Sequence, residues 1–266
     1  MNTTAPQAWT RRRLTVTLAA TATTAIVLLA GLGYTAWDAA THRHPEAPAV
    51  RTAPTATPGP TTRDEVAAAP MASVDSAAAR PAAPATTPVP LITVPAATGL
   101  GPAGVPTGFP RTPAGALGQL AAIDATVLTA MDPETTQDVH AAWSAPGAPA
   151  VGEWVMTANV HAFTTATVSA GAPAEATPVV TATPVAAQVK GVDGPDWVLA
   201  CVLLRVDATL ASAHSMAYGH CERTVWRAGR WQIGPGAQPA AAPSTWPGTQ
   251  AAADAGWRPW THAGQD

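Results

Sequence analysis

Three textures of hydrophobic and polar positions follow one another along the chain. From Leu14 to Ala36, 23 positions of Leu, Thr, Val, Ala, Ile, Gly and Tyr run without a charge, and about 20 apolar residues suffice to cross a hydrocarbon core as a helix. The pattern predicts one transmembrane helix over 14–36, since a helix satisfies its own backbone hydrogen bonds in lipid. From 37 to 103 the texture changes to Ala, Thr and Val, broken every few residues by proline, from Pro45 and Pro48 through Pro90 and Pro95. Proline removes an amide donor and restricts the residue before it. This stretch therefore predicts a disordered, polyproline-like linker, on the order of 200 Å long if fully stretched. Asp64–Ala69 has the composition for one helical turn, and the Thr/Pro content fits O-glycosylation.

At Gly104 the third texture begins, a domain expected over 104–260. Thr112 and Pro113 form a cap and first-turn signal. Leu117, Leu120, Ala121, Val127, Leu128 and Met131 then recur three and four apart, which predicts a helix. Asp132-Pro133 ends it and caps a second helix over about 134–143. Residues 152–169 fit either a third helix or a strand: Trp154, Val155, Val160 and Phe163 suit the first, the threonines and valines the second. Past Pro178 the pattern is β. Val179–Val192 is a strand in which Pro184 calls for an edge or a bulge. Trp197–Leu210 is the most continuously apolar stretch and predicts a central strand. Tyr218–Arg227 and Trp231–Ile233 follow around a tight turn, and Pro247–Ala255 fits a short helix. The fold class is α+β, with two or three helices on one face of a curved antiparallel sheet.

Composition and charge sharpen this plan. Arg11, Arg12 and Arg13 precede the apolar run, and such charge holds its end in the cytoplasm. The expected localisation is the cell membrane, with the N-terminus cytoplasmic and the C-terminal domain outside. A cleaved export signal shares the charge-then-apolar plan, but cleavage after Ala36 would place Tyr34 at the −3 position, where a small residue is needed. A net charge of −3 offers no field for nucleic acid. Cys201 and Cys221 face one another if Trp197–Val206 and Tyr218–Arg227 form a hairpin centred near Ala211. Opposed strand positions are close enough for a disulfide, which export permits.

Candidate chemistry is sparse. Asp124, Asp132, Asp138 and Asp207 are the domain's candidate bases; Asp124 is assigned to the polar side of the first helix and Asp132 to a cap. His140, His161, His214 and His220 show no metal-binding spacing, although His214, His220 and Cys221 could meet at a hairpin end. No catalytic residue, metal or cofactor is expected. The tryptophans are read first as core, and Trp246, Trp257 and Trp260 as a candidate docking patch for a protein partner.

The stretches GVPTGFPRTPAGALGQLAAID, ERTVWRAGRWQIGPG and STWPGTQAAADAGWRPW, at 104–124, 222–236 and 244–260, resemble a group of membrane-anchored proteins from conjugative elements of high-GC Gram-positive bacteria. Their outer domains are similar to the nuclear-transport-factor-two/ketosteroid-isomerase cone, the fold of the bitopic type IV secretion assembly subunit and its TcpC-like relatives. The resemblance implies a non-enzymatic scaffold that contacts other transfer-machine proteins or further copies of itself. The alternative on the same cone is a pocket for a small hydrophobic ligand, lined by Trp154, Phe163 and Trp197. A third reading is a cell-envelope binder.

Overall fold

The computed structural model describes residues 62–169, 178–209 and 212–262. Arg11, Arg12, Arg13, the 14–36 span and linker residues 37–61 lie outside the described residues. Among the described residues, no helix is long and apolar enough to cross a membrane.

The fold is α+β, with a curled, largely antiparallel sheet. In chain order the elements are α1 (Thr62–Ala68), β1 (Ile92–Val94), β2 (Gly99–Leu100), β3 (Pro106–Thr107), α2 (Pro113–Ala130), α3 (Pro133–Trp143), α4 (Val155–Ser169), β4 (Val179–Val192), β5 (Trp197–Thr209), β6 (Ala213–Arg227), β7 (Arg230–Ile233), α5 (Gln250–Asp254) and β8 (Arg258–His262). Six strands form the main sheet in the order β1-β8-β4-β5-β6-β7, and β2 pairs with β3 separately.

Helix boundaries follow the capping chemistry. Thr112 Oγ1 accepts from the Gly115 amide, and Asp132 Oδ2 from that of Thr135, so α2 and α3 both begin one residue after a side-chain cap with proline at the first position. Residues 155–169 are helical: Met156, Val160 and Phe163, at helical spacing, all face the core and outweigh the β-branched composition. Pro184 sits where β4 shifts register against β5, and β8 joins β4 only from Ala186 onward. The strand is therefore both bulged and unpartnered on that side at the proline.

β5 is buried almost throughout because both faces of the sheet are covered. Val198, Ala200, Val202, Leu204 and Val206 point to the main core with α2 and α4 residues. Trp197, Leu199, Cys201 and Leu203 point the other way, toward α1, Met71, Ala252 and Trp257.

That second layer corrects the expected linker. Residues 62–103 are not a disordered stalk: α1, a 3-10 turn at Ser76–Ala79 and β1 lie against the domain, burying Ala67, Ala79 and Val94. Proline-rich chain cannot build its own core, but it can lie on a face that the sheet provides. Composition alone does not reveal that face. The tail, expected as little more than a short helix, supplies β8, which pairs in parallel with β1 through Ile92–Trp260, Thr93–Thr261 and Val94–His262.

Candidate functional site

The densest polar chemistry of the described residues lies inside the main core, between α2, α4 and β6. Alternation along β6 sends Met216, Tyr218, His220, Glu222 and Thr224 to the helix-covered face, and Ala217, Gly219, Cys221 and Arg223 to the other. On α2, Asp124 is four residues from both Leu120 and Leu128, so it shares their stripe and is fully buried. Its expected place on the helix's polar side is corrected: the apolar stripe itself carries the carboxylate inward.

His220 Nδ1 lies 2.8 Å from Asp124 Oδ2, and His220 Nε2 lies 3.8 Å from Glu222 Oε2. Glu222 accepts from the Trp154 indole N–H at 3.2 Å and from the Arg223 amide at 3.0 Å. Asn159 Nδ2 donates to the Tyr218 hydroxyl at 2.6 Å, and that hydroxyl donates to Met156 Sδ at 3.7 Å. The Tyr218 and His220 rings stack with centroids 6.2 Å apart. Asp124 Oδ1 and His220 Nε2 have no hydrogen-bond partner.

Burial and charge set the titration of this group. Burial pulls the His220 imidazole toward its neutral form, but the Asp124 carboxylate, its hydrogen bond and the Glu222 charge together hold the pKa above the ordinary value. Burial pushes the Glu222 carboxyl up, against the opposing pull of His220, the Arg223 amide and the Trp154 indole. Burial likewise raises Tyr218, helped by Asp124. The group can hold a proton between an imidazole and two carboxylates, and it ties two helices to one strand.

The other candidates are dispersed. Asp132 caps α3, and its carboxyl lies below the usual range because the Thr135 amide donates to it. Asp138 and His161 are exposed. Asp207 bonds Ser215 and Arg205, and His214 bonds Ser212. His140 meets the Pro149 carbonyl at 3.0 Å and stacks obliquely on Trp154. His220 and Cys221 face opposite sides of the sheet, so they do not gather with His214. Among the described residues no group of three His, Cys, Asp or Glu side chains is placed to hold a metal ion.

Cys201 and Cys221 are register partners on β5 and β6 and form a disulfide, as the hairpin register predicts. It is consistent with an extracellular domain. Trp246, Trp257 and Trp260 do not form a common exposed patch. Trp257 is 1% exposed and donates its indole N–H to the Pro243 carbonyl, with half-buried Trp246 packed on the same outer layer. Trp260 is half-buried against the main core, on the other side of the sheet. The candidate pocket residues are separated too: Trp154 and Phe163 are buried in the main core, while Trp197 packs on the opposite face beside Ala67 and Leu199.

The class these features define is an α+β domain with a doubly covered, disulfide-bridged sheet and a buried ionisable group. Compared with family models, curated proteins and solved structures, the chain matches none.

Proposed function

We propose that this chain is a single-pass membrane protein presenting a non-enzymatic, extracytoplasmic interaction domain of the nuclear-transport-factor-two-like cone type. In this reading residues 14–36 span the bilayer, Arg11, Arg12 and Arg13 keep the N-terminus cytoplasmic, and the domain is an assembly component of a conjugative, type IV secretion-like apparatus. No cofactor is required. The observation that carries the reading is the filling of the helix-covered side of the sheet: Trp154, Met156, Val160 and Phe163 are all buried there in one cluster with residues of α2 and the sheet. A cone packed with its own side chains suits a rigid scaffold better than a lipid or sterol pocket. The Cys201–Cys221 disulfide supports the placement outside.

Crosslinking of the full-length protein in its native membrane, followed by mass spectrometry, tests this. Recovery of transfer-machine subunits, alone or beside further copies of the chain, is expected; the absence of every transfer-machine subunit overturns it. The second reading is a small hydrophobic ligand-binding or cell-envelope-binding domain; Asp124 Oδ1 and His220 Nε2, buried without a hydrogen-bond partner, are the polar atoms of the core that a bound molecule would satisfy. Native mass spectrometry of the purified chain and pull-down on peptidoglycan discriminate that alternative.

A further inference from the structure

Residues 62–91 cross the outer face of the sheet as a strap whose attachments differ in kind from those of the core. Only Ala67 and Ala79 of this stretch are buried, so its hydrophobic contribution is small. Polar anchors hold it instead. Asp64 accepts from Arg223 Nη1 at 2.8 Å, and Arg63 pairs with Asp193 while its guanidinium lies 5.5 Å from the Trp197 ring centroid. Lys190, the chain's one lysine, donates to the carbonyls of Ala67 and Ala69 at the end of α1. Further along, the amides of Ala240 and Trp246 donate to Ala67 and Ala78, and the Ala85 amide donates to Gly248.

Beneath the strap lies the disulfide. Met71 Sδ is 3.3 Å from Cys221 Sγ, in the layer that contains Leu203, Ala217 and Trp257. The strap ends at β1, where attachment changes: Val94 and Val105 are fully buried and β1 is hydrogen-bonded into the sheet. The Arg63–Asp193 pair is exposed and therefore weak, the Asp64–Arg223 pair joins a partly exposed carboxylate to a buried guanidinium, and segments that bury little apolar surface open before the global structure does.

We propose that residues 62–91 are a releasable strap. Load arriving through residues 1–61 detaches it up to β1 while the sheet stays folded, lengthening the tether and removing Met71 from the cover of the disulfide, of which Trp257 and Ala252 remain. Its usefulness rests on the membrane-anchored reading above, since an anchor is what would deliver such load. The peeling itself does not require that reading, so the two fail separately.

The test is single-molecule extension of the detergent-solubilised full chain, held at its two ends. An early event releasing about 30 residues, roughly 100 Å of extended chain, is expected before the sheet opens. An Asp64→Ala/Lys190→Met variant lowers the force of that event and leaves the later one unchanged. Without load, dithiothreitol reduces Cys201–Cys221 about tenfold faster in the same variant, because two partly exposed polar attachments of the strap are lost. Strap and sheet opening in one event, or equal reduction rates in the two proteins, overturns the proposal. Crosslinking in the native membrane reports on the anchor independently.

Discussion

His220 Nδ1 lies 2.8 Å from Asp124 Oδ2, joining β6 to α2 across 96 residues of chain in a fully buried contact. A buried imidazole between two carboxylates is costly in itself, and it is tolerated only while the charges answer one another. That relationship makes stability depend on pH in a definite direction.

His220 holds its proton more tightly folded than unfolded, because the carboxylates of Asp124 and Glu222 outweigh the desolvation that opposes them. Its stabilisation is fully present below the ordinary value of 6.5 and is lost as pH rises through the higher folded value. Glu222, raised by burial from 4.5, acts in the same sense from 4.5 upward, and Tyr218 does so in the alkaline range. His140 opposes them, since burial lowers its value. The diagnostic quantity is therefore a difference. The stability advantage of the wild type over His220→Gln, from urea unfolding, is expected to shrink as pH rises past 6.5. An advantage constant from pH 5 to 9 would mean that His220 does not titrate with folding.

Removing both partners should cost less than the sum of removing each alone. Asp124→Leu leaves His220 facing Glu222 alone, and His220→Leu leaves two carboxylates within a dry core; each is expected to cost about 3–5 kcal/mol. The Asp124→Leu/His220→Leu double variant removes the mutual pair and should cost clearly less than the sum, giving a coupling of about 1–3 kcal/mol in a double-mutant cycle. Additive losses would show that the contact contributes nothing as a pair.

The sequence made the first two helices of the domain and the hairpin legible because their signals are local: Thr112 and Asp132 as caps, Leu117–Met131 as a stripe, Cys201 opposite Cys221 by register. The buried ionisable group was also written locally, but against expectation. Asp124 occupies the stripe of Leu120 and Leu128, and Tyr218, His220 and Glu222 alternate on one face of β6. Reading a charged side chain as solvent-facing concealed both patterns. The strap and β8 were illegible for a different reason. Their partners are the outer sheet face, β4 and each other, more than 70 residues away, and nothing in residues 62–103 signals a surface supplied elsewhere.

The disulfide should contribute stability mainly by restricting the unfolded chain. A closed loop set by a separation of 20 residues corresponds to about 3 kcal/mol. A Cys201→Ala/Cys221→Ala variant is thus expected to lose about 2–4 kcal/mol in denaturant unfolding while retaining the β-rich circular dichroism of the parent. Loss of the folded spectrum altogether would mean that the hairpin does not form without the covalent link.

The three C-terminal tryptophans separate packing from recognition. Trp257 is enclosed by Ala186, Ala217, Ala252 and the disulfide, and its indole N–H is satisfied by Pro243, so Trp257→Ala opens a cavity and strands a carbonyl. It is expected to cost about 3–5 kcal/mol. Trp246 and Trp260 are half-buried, and alanine at either should cost about 1–2 kcal/mol, within the ordinary range for single substitutions. If a partner docks on this end of the molecule, Trp246→Ala or Trp260→Ala will reduce crosslinking in the membrane without unfolding the domain, whereas Trp257→Ala will lose crosslinking and fold together. Equal crosslinking by all three variants, with only Trp257→Ala destabilised, would assign every one of these side chains to packing and move the search for a docking surface elsewhere on the sheet.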